Sequence, residues 1–394
     1  MKKILAFILA TLLVLCMVAC SNEKKEDADE SDEANKNSTE QNVLKSDKGT
    51  FEYDTNDEGD YEIISYTPSG LDAVELSLPK ETKDGRDIVG IAENAFKTLL
   101  TLKSVTIPDT YTYIGDYAFY GCDNLEKVVM TDSVTAIGKS SFQNCPKLAT
   151  LTLSKNITSI PANAFYGCVA ITQIDISGAT EVIEQGAFFG CSALTSITLS
   201  DKITYVSAYA FNNSSKINYT VENGGKYLGN QENPYLVLVS AASLDIQSCK
   251  VNDKTKLIAE RAFAYCSYLE TVELGDSVTI INGTCFENDP AFDKSFGEQE
   301  IPQVDISFNV YENGCYLGTD SNPYMVLVYI IATNDDDFKL HKDTKIITDT
   351  AFYDSKIKDI SYAGTEEEWD SILKSEKWNH GKIINVLCAQ PSSN

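Results

Sequence analysis

The chain has 394 residues, 43 % of them hydrophobic and 10 % aromatic, enough for one large or two to three ordinary packed domains. Its formal charge is −26, from 58 acidic against 32 basic side chains; that balance repels phosphate and excludes nucleic acid as a partner. Two histidines are present in all, which leaves little room for histidine-based catalysis.

Lys2 and Lys3 precede an apolar run, Ile4–Ala19, interrupted only by Thr11. The run is shorter than the roughly 20 residues a spanning helix needs, and charge followed by an apolar stretch is the order of an export signal. Met17-Val18-Ala19-Cys20-Ser21 resembles the bacterial lipobox, with Met where Leu is usual. The resemblance implies cleavage before Cys20 and acylation of that cysteine, making residues 1–19 a lipoprotein signal peptide. Residues 20–48 then form an acidic tether. Ser21–Lys48 holds nine acids and five lysines, with Val43 and Leu44 almost its only apolar side chains, too few to drive folding. Residues 49–90 read as an N-terminal β cap, with two aromatic-rich strands either side of Asp54–Asp60 and then LDAVELSLP.

A repeat follows. Phe96, Phe119, Phe142, Phe165, Phe188 and Phe211 are spaced 23 residues apart, Phe263 and Phe286 form another such pair, and Phe352 ends the series. Five residues before each stands an aliphatic side chain, from Ile91 through Val206 to Ile347; the residue immediately before is Ala, Ser or Cys. Three residues after come Cys122, Cys145, Cys168, Cys191 and Cys266. A period of this length marks a solenoid, in which each unit buries its apolar face only against its neighbours. The alternation in Leu151-Thr152-Leu153, Ile174-Asp175-Ile176 and Ile197-Thr198-Leu199 predicts one short strand per turn. Stacked turns should lay these strands side by side as a parallel sheet, about 4.8 Å apart, with the Phe rings in a central column.

The period breaks after Phe211 and Phe286, and the breaks resemble each other. YLGNQENPYLVLV (Tyr227–Val239) and YLGTDSNPYMVLV (Tyr316–Val328) each start 36 residues before the next anchor Phe. Asn-Pro-Tyr between apolar runs predicts equivalent hairpins, inserted near 223–250 and 312–340 of a solenoid spanning 91–360. In Gly364–Trp378, Thr365 and Glu368 have capping-box spacing. Trp369, Ile372 and Leu373 fall on one helical face, so 361–394 reads as a C-terminal helical cap.

The pattern C-x-x-L-x-x-[IVL]-x-[IL]…I-x-x-x-A-F-x-x-C, anchored nine times between Ile91 and Phe352, resembles the BspA-like, treponemal-type leucine-rich repeats of bacterial surface proteins. The resemblance implies a leucine-rich-repeat solenoid of short parallel strands and irregular structure. It also implies a lipid-anchored protein on the outer side of the cell membrane, mediating adhesion. Its partners would then be proteins or glycans on a host or neighbouring cell surface. The alternative is an envelope spacer or assembly component without a specific host ligand.

Nothing in the residues points to an enzyme, a cofactor or a metal. The cysteines share one slot on consecutive turns, and that slot also accepts Leu99 and Ser214, so they read as buried free thiols, small hydrophobes, rather than disulfides. His341 and His380 lie near no nucleophile motif. Gly138-Lys139-Ser140 lacks the earlier glycine of a phosphate loop, and Asp54-x-Asn56-x-Glu58-Gly59 lacks the Glu that would complete a calcium loop, Ser65 standing there instead. The binding surface is therefore sought on the strands. With the apolar residues turned inward, Ser104 and Thr106, Lys127 and Val129, Thr150 and Thr152, Gln173 and Asp175, Ser196 and Thr198, and Thr271 and Glu273 should face solvent. Stacked, they make a hydroxyl-rich face of low charge. It lacks the aromatic and Arg anchors in which interfaces concentrate energy, so Tyr235 and Tyr324 of the inserts are the alternative site.

Overall fold

A 23-residue period makes every turn bury the same side chains against the same neighbours, and the fold is a β-solenoid of that kind. The structure is a computed structural model that describes residues 42–72, 74–286, 307–331, 335–353, 355–375, 378–379 and 381–389. The export segment, Cys20, most of the tether and His380 lie outside the described residues. Among those described, no helix is long and apolar enough to cross a membrane.

The rings of Phe96, Phe119, Phe142, Phe165, Phe188 and Phe211 form one stack, with successive centroids 5.0, 5.1, 5.5, 5.6 and 5.7 Å apart and interplanar angles of 9° or less. Two residues before and two after each ring the backbone enters the left-handed region. Asn94, Asn163 and Gly186 do so before it, and Gly121, Asn144, Gly167, Gly190 and Asn213 after it. Those are the residue types that tolerate this conformation, and their recurrence is what lets each turn close in 23 residues.

The strand face is less continuous than the sequence suggests. Val74–Ser77, Leu102–Thr106, Lys127–Val129 and Thr150–Thr152 form one parallel ladder, and Gln173–Ile176 with Ser196–Leu199 a second. Thr150–Thr152 does not pair with Gln173–Ile176, and Leu151 and Leu153 beside the gap are only half-buried.

Both inserts are hairpins of the same register. Tyr227 lies opposite Leu238 and Tyr316 opposite Leu327, and in each case the pairing slips immediately before the Tyr. The N-terminal segment, read from sequence only as a cap, is a third copy. Tyr53 lies opposite Ile63, again directly after a slip. The hydroxyls of Tyr53, Tyr227 and Tyr316 each accept a backbone N–H, from Lys83 at 3.4 Å, Asn252 at 3.2 Å and His341 at 3.3 Å. Each ring also meets edge-on a Tyr eight positions later, namely Tyr61, Tyr235 and Tyr324, at 5.8, 5.5 and 5.6 Å. In all three the last hairpin strand then pairs in parallel with the first Ile strand of the turns that follow, Ile63 with Ile91, Leu238 with Ile258 and Leu327 with Ile347. A hairpin thus starts each run of turns, and the buried side chains fall into three clusters accordingly.

Both ends differ from expectation. Val43–Lys45, assigned to the unfolded tether, is a strand paired antiparallel with Thr50–Glu52, and Leu44 packs against the core. The only adjacent apolar pair in that acidic stretch is thereby recruited as an edge strand. At the C-terminus the capping box forms as expected, but the helix is only Glu366–Ser371. Leu373 is not on its face. It belongs to strand Leu373–Lys374, which pairs with Ile346–Ile347, and Asn385–Cys388 pairs with Asp359–Tyr362. The segment adds a further turn of strand, and the helical part of the cap is minor.

Candidate functional site

On the strand face, cross-strand pairing sets the residues in rows. Ser104, Lys127 and Thr150 share one row, and Thr106, Val129 and Thr152 the next. Gln173 faces Ser196 and Asp175 faces Thr198 in the second ladder, while Thr271 faces Ser248 and Glu273 faces Lys250 in a third. Thr106, Lys127, Thr150, Thr152, Gln173, Asp175, Ser196 and Thr271 are exposed; Ser104, Val129, Thr198 and Glu273 are half-buried. Ser248 and Lys250 extend the face, and Lys250 forms an ion pair with Glu273. Sequence reasoning missed both because their turn follows an insert and has no anchor Phe: Ser240 stands 23 residues before Phe263.

Tyr235 and Tyr324 are placed by the hairpins. Asn233 donates its side-chain N–H to the Lys254 carbonyl at 2.8 Å and accepts from the Tyr235 N–H at 3.1 Å. Asn322 does the same with Asp343 at 2.8 Å and Tyr324 at 3.2 Å. The two tyrosines are half-buried, so much of each ring is spent on the hairpin. Tyr324 further stacks on His341 at 4.0 Å. His341 Nδ1 accepts the Asp343 N–H at 3.2 Å, the role Asn252 Oδ1 plays for Lys254 at 2.9 Å in the other insert. Burial holds the His341 pKa below its usual value, which keeps the nitrogen an acceptor.

The junction between the first and second runs of turns encloses space that no sequence pattern indicated. A cavity of about 320 Å³ is lined by Tyr209, Tyr219, Lys226, Leu244, Arg261 and Tyr265. A neighbouring one of about 600 Å³ is reached by Tyr205, Ile280, Asn282, Asp349 and Lys374. Between them stands Glu260, whose Oε2 accepts from Tyr205 Oη at 3.0 Å, Ser207 Oγ at 2.8 Å and the Ala208 N–H at 2.8 Å. These residues are brought together only because an insert separates turns that are neighbours in space. The chain's having just two arginines, Arg86 and Arg261, is the one signal that could have marked the place.

The repeated cysteines are free and buried, and they do more than fill space. Cys122, Cys145, Cys168 and Cys191 each donate Sγ–H to the carbonyl of the Phe 26 residues earlier, at 3.1–3.2 Å. Ser214, in the same slot, donates to Phe188 at 2.7 Å, so the slot selects a small buried donor. Burial pushes the Cys122 and Cys191 thiols up to about 12 and those of Cys145 and Cys168 upward as well. A disulfide-exchange reagent at pH 8 is expected to leave these four unlabelled in the folded protein and to label all four on unfolding. Rapid labelling of any of them under native conditions would contradict the burial. In the Asp54–Asp60 segment, Asn56 Oδ1 accepts from the Glu58 and Asp60 N–H groups at 3.0 and 2.9 Å, the bonding of a hairpin turn. Among the described residues no group of three His, Cys, Asp or Glu side chains is arranged to hold a metal.

The family model described as "BspA type Leucine rich repeat region" matches six copies across residues 89–218 and 241–311. Among solved structures, the chain is similar to a leucine rich cell surface protein from Faecalibacterium prausnitzii A2-165, at 20 % identity over 84 % of this chain and 97 % of that one, with a TM-score of 0.41. It is similar to a T. pallidum leucine rich repeat protein at 21 % identity, over 62 % and 91 % of the two chains, with a TM-score of 0.38. A third similarity is to the pneumococcal vaccine antigen PcpA, at 14 % identity over 89 % and 99 %, with a TM-score of 0.34. No curated protein matches the sequence.

Proposed function

The chain belongs to the BspA-type leucine-rich repeat family, and from that premise we propose that it is a lipid-anchored surface protein that binds proteins or glycans of a host or neighbouring cell. The observation that carries the reading is the row-by-row register of the strand face. Each 23-residue step repeats the same outward positions, so Ser104, Lys127 and Thr150, or Gln173 and Ser196, form fixed lines of hydrogen-bonding groups. A solenoid offers such a surface to partners without rearrangement. The N-terminal lipobox resemblance supplies the anchor, and the acidic segment before Val43 the spacer. Per-site affinity is modest and attachment comes from many copies on one surface.

The test has two arms. Replacing Thr150, Thr152, Ser196 and Thr198 with Lys is expected to weaken binding to immobilised matrix proteins or cell-surface glycans about tenfold while the unfolding transition is kept. Cys20→Ala is expected to release the protein from membranes or leave its precursor uncleaved. Wild-type protein that binds no cell-surface macromolecule would leave the spacer function in its place, and unchanged membrane attachment with mature mass in Cys20→Ala would remove the lipid anchor.

A further inference from the structure

We propose that His341 makes the third hairpin an acid-released joint. A proton on its Nδ1 breaks a bond that holds the turn behind the hairpin, while the second hairpin, with Asn252 in the same place, does not respond. The proposal is independent of what the surface binds and where.

The two inserts are a matched pair, each clamping a turn to its hairpin with the same bonds. The Asn252 N–H donates to Tyr227 Oη at 3.2 Å and the His341 N–H to Tyr316 Oη at 3.3 Å. The carbonyls of the same two residues accept from Thr255 at 2.9 Å and Thr344 at 3.1 Å. The Lys254 and Asp343 carbonyls accept the side-chain N–H groups of Asn233 and Asn322, both at 2.8 Å. One bond differs in kind. The Lys254 N–H donates to the Asn252 amide oxygen at 2.9 Å, and the Asp343 N–H to the His341 ring nitrogen at 3.2 Å. An amide oxygen accepts at every pH, whereas an imidazole nitrogen accepts only while unprotonated. In the first hairpin Lys83 gives the corresponding N–H to Tyr53. Of Lys83, Asn252 and His341, the histidine alone has an ordinary pKa near neutrality.

The surroundings of the ring set the sign. Tyr324 covers one face at 4.0 Å, Tyr311 meets it edge-on at 4.7 Å and Tyr316 lies at 6.4 Å. Burial disfavours the imidazolium most; the Asp343 carboxylate, its Oδ2 3.8 Å from Nδ1, favours it, and the Lys342 charge disfavours it. The Tyr324 ring face also favours a cation. Of the charges adjoining these strands, Glu312 and Lys339 pair with each other at 3.6 Å, and Asp337 is exposed at the far end of strand Asp337–Leu340. The net result is a folded-state pKa below the ordinary value. The neutral ring therefore adds stability that is fully present above about pH 6.5 and is lost as the pH falls through the lower folded value. Once protonated, Nδ1–H confronts the Asp343 N–H as donor to donor. The cation's remaining partner is the Asp343 carboxylate, and turning to it gives up the amide bond.

His341→Asn installs the residue that the second hairpin uses. Amide hydrogen exchange is read at pH 7.5 and 5.5 in wild type and variant, each rate corrected to that of the unfolded chain at the same pH. In the wild type, protection of the Asp343 amide is expected to fall about threefold or more at the lower pH, relative to the Lys254 amide. His341→Asn is expected to abolish that difference and to keep the wild-type melting temperature at pH 7.5. The chain has two histidines, so His380→Gln leaves a single imidazole signal, and its NMR titration is expected to give a pKa below about 6.5. An equal pH response at the two amides overturns the proposal, as does a response that persists in His341→Asn. A titration midpoint at or above the ordinary value overturns it as well. Should His341→Asn unfold, the exchange contrast in the wild type and the titration still decide.

Discussion

Phe165→Ala is expected to destabilise the first run of turns by about 3–5 kcal/mol, the usual cost of emptying a large buried aromatic site. The ring is fully buried and lies between Phe142 at 5.5 Å and Phe188 at 5.6 Å. Its neighbours cannot collapse into the space, because each is tied by its own backbone to the turns above and below. The Phe165 N–H donates to the Ala187 carbonyl at 2.9 Å, as Phe142 does to Ala164 at 2.9 Å and Phe188 to Ala210 at 2.8 Å. Phe211 ends the stack, with 6 % of its surface exposed, and Phe211→Ala should cost less. In a solenoid stability is approximately a sum of nearest-neighbour terms, so the damage should stay within the first core cluster and spare the one around Phe352. Denaturant unfolding gives the size, and hydrogen exchange read turn by turn gives the location. A loss below about 1 kcal/mol, or one spread evenly over the chain, would show that the column is not the structural axis.

What could be read beforehand was whatever repeats with a short period. Aligning on Phe exposes the aliphatic wall, the thiol slot and the strand alternation at once, because each turn solves the same packing problem with the same residue types. The N-terminal hairpin escaped because its likeness to the inserts lies in two tyrosines. Tyr53 and Tyr61 share the spacing of Tyr227 and Tyr235, but the loop between the paired strands, 56–60, is three residues shorter than 229–236 and lacks Asn-Pro-Tyr. Leu373 was misassigned because an apolar residue after Trp369 and Ile372 continues a helical face as readily as it begins a strand. The pull of Ile346–Ile347 on the next strand decided between them. The thiol slot was read as apolar, since a Cys that donates to a carbonyl looks the same in sequence as one that only fills space. Ser214 in that slot was the clue. The junction cavity had no local signature at all: Tyr209 and Arg261 are 52 positions apart and become neighbours only once the second hairpin is inserted.

Gly229→Ala and Gly318→Ala are expected to destabilise the second and third runs alike, by roughly 2–4 kcal/mol each, combining overpacking with the loss of about one hydrogen bond. A methyl group on Gly229 would stand 1.9 Å from the Asn233 carbonyl oxygen, and one on Gly318 2.0 Å from that of Asn322. Neither clash involves a flexible side chain, so the backbone itself must move. The movement has only two directions. It can open the loop, where Asn230 N–H donates to Asn233 at 3.1 Å and Thr319 N–H to Asn322 at 3.1 Å. Otherwise it lifts the glycine off the preceding turn, where the Gly229 carbonyl accepts the Leu199 N–H at 3.0 Å and the Gly318 carbonyl that of Leu274 at 2.9 Å. The second direction predicts faster exchange at the Leu199 amide in Gly229→Ala alone, and at Leu274 in Gly318→Ala alone. Equal exchange at both amides in both variants would contradict this docking role. The N-terminal hairpin supplies the control. Thr55 stands two residues after Tyr53, as Gly229 does after Tyr227, and it is exposed. Among the described residues no earlier turn of the repeat precedes this hairpin, so nothing there requires a glycine. Thr55→Ala should therefore fall within about 0.5 kcal/mol of wild type, and a penalty there as large as at Gly229 would mean that glycine serves the hairpin itself rather than its docking onto the solenoid.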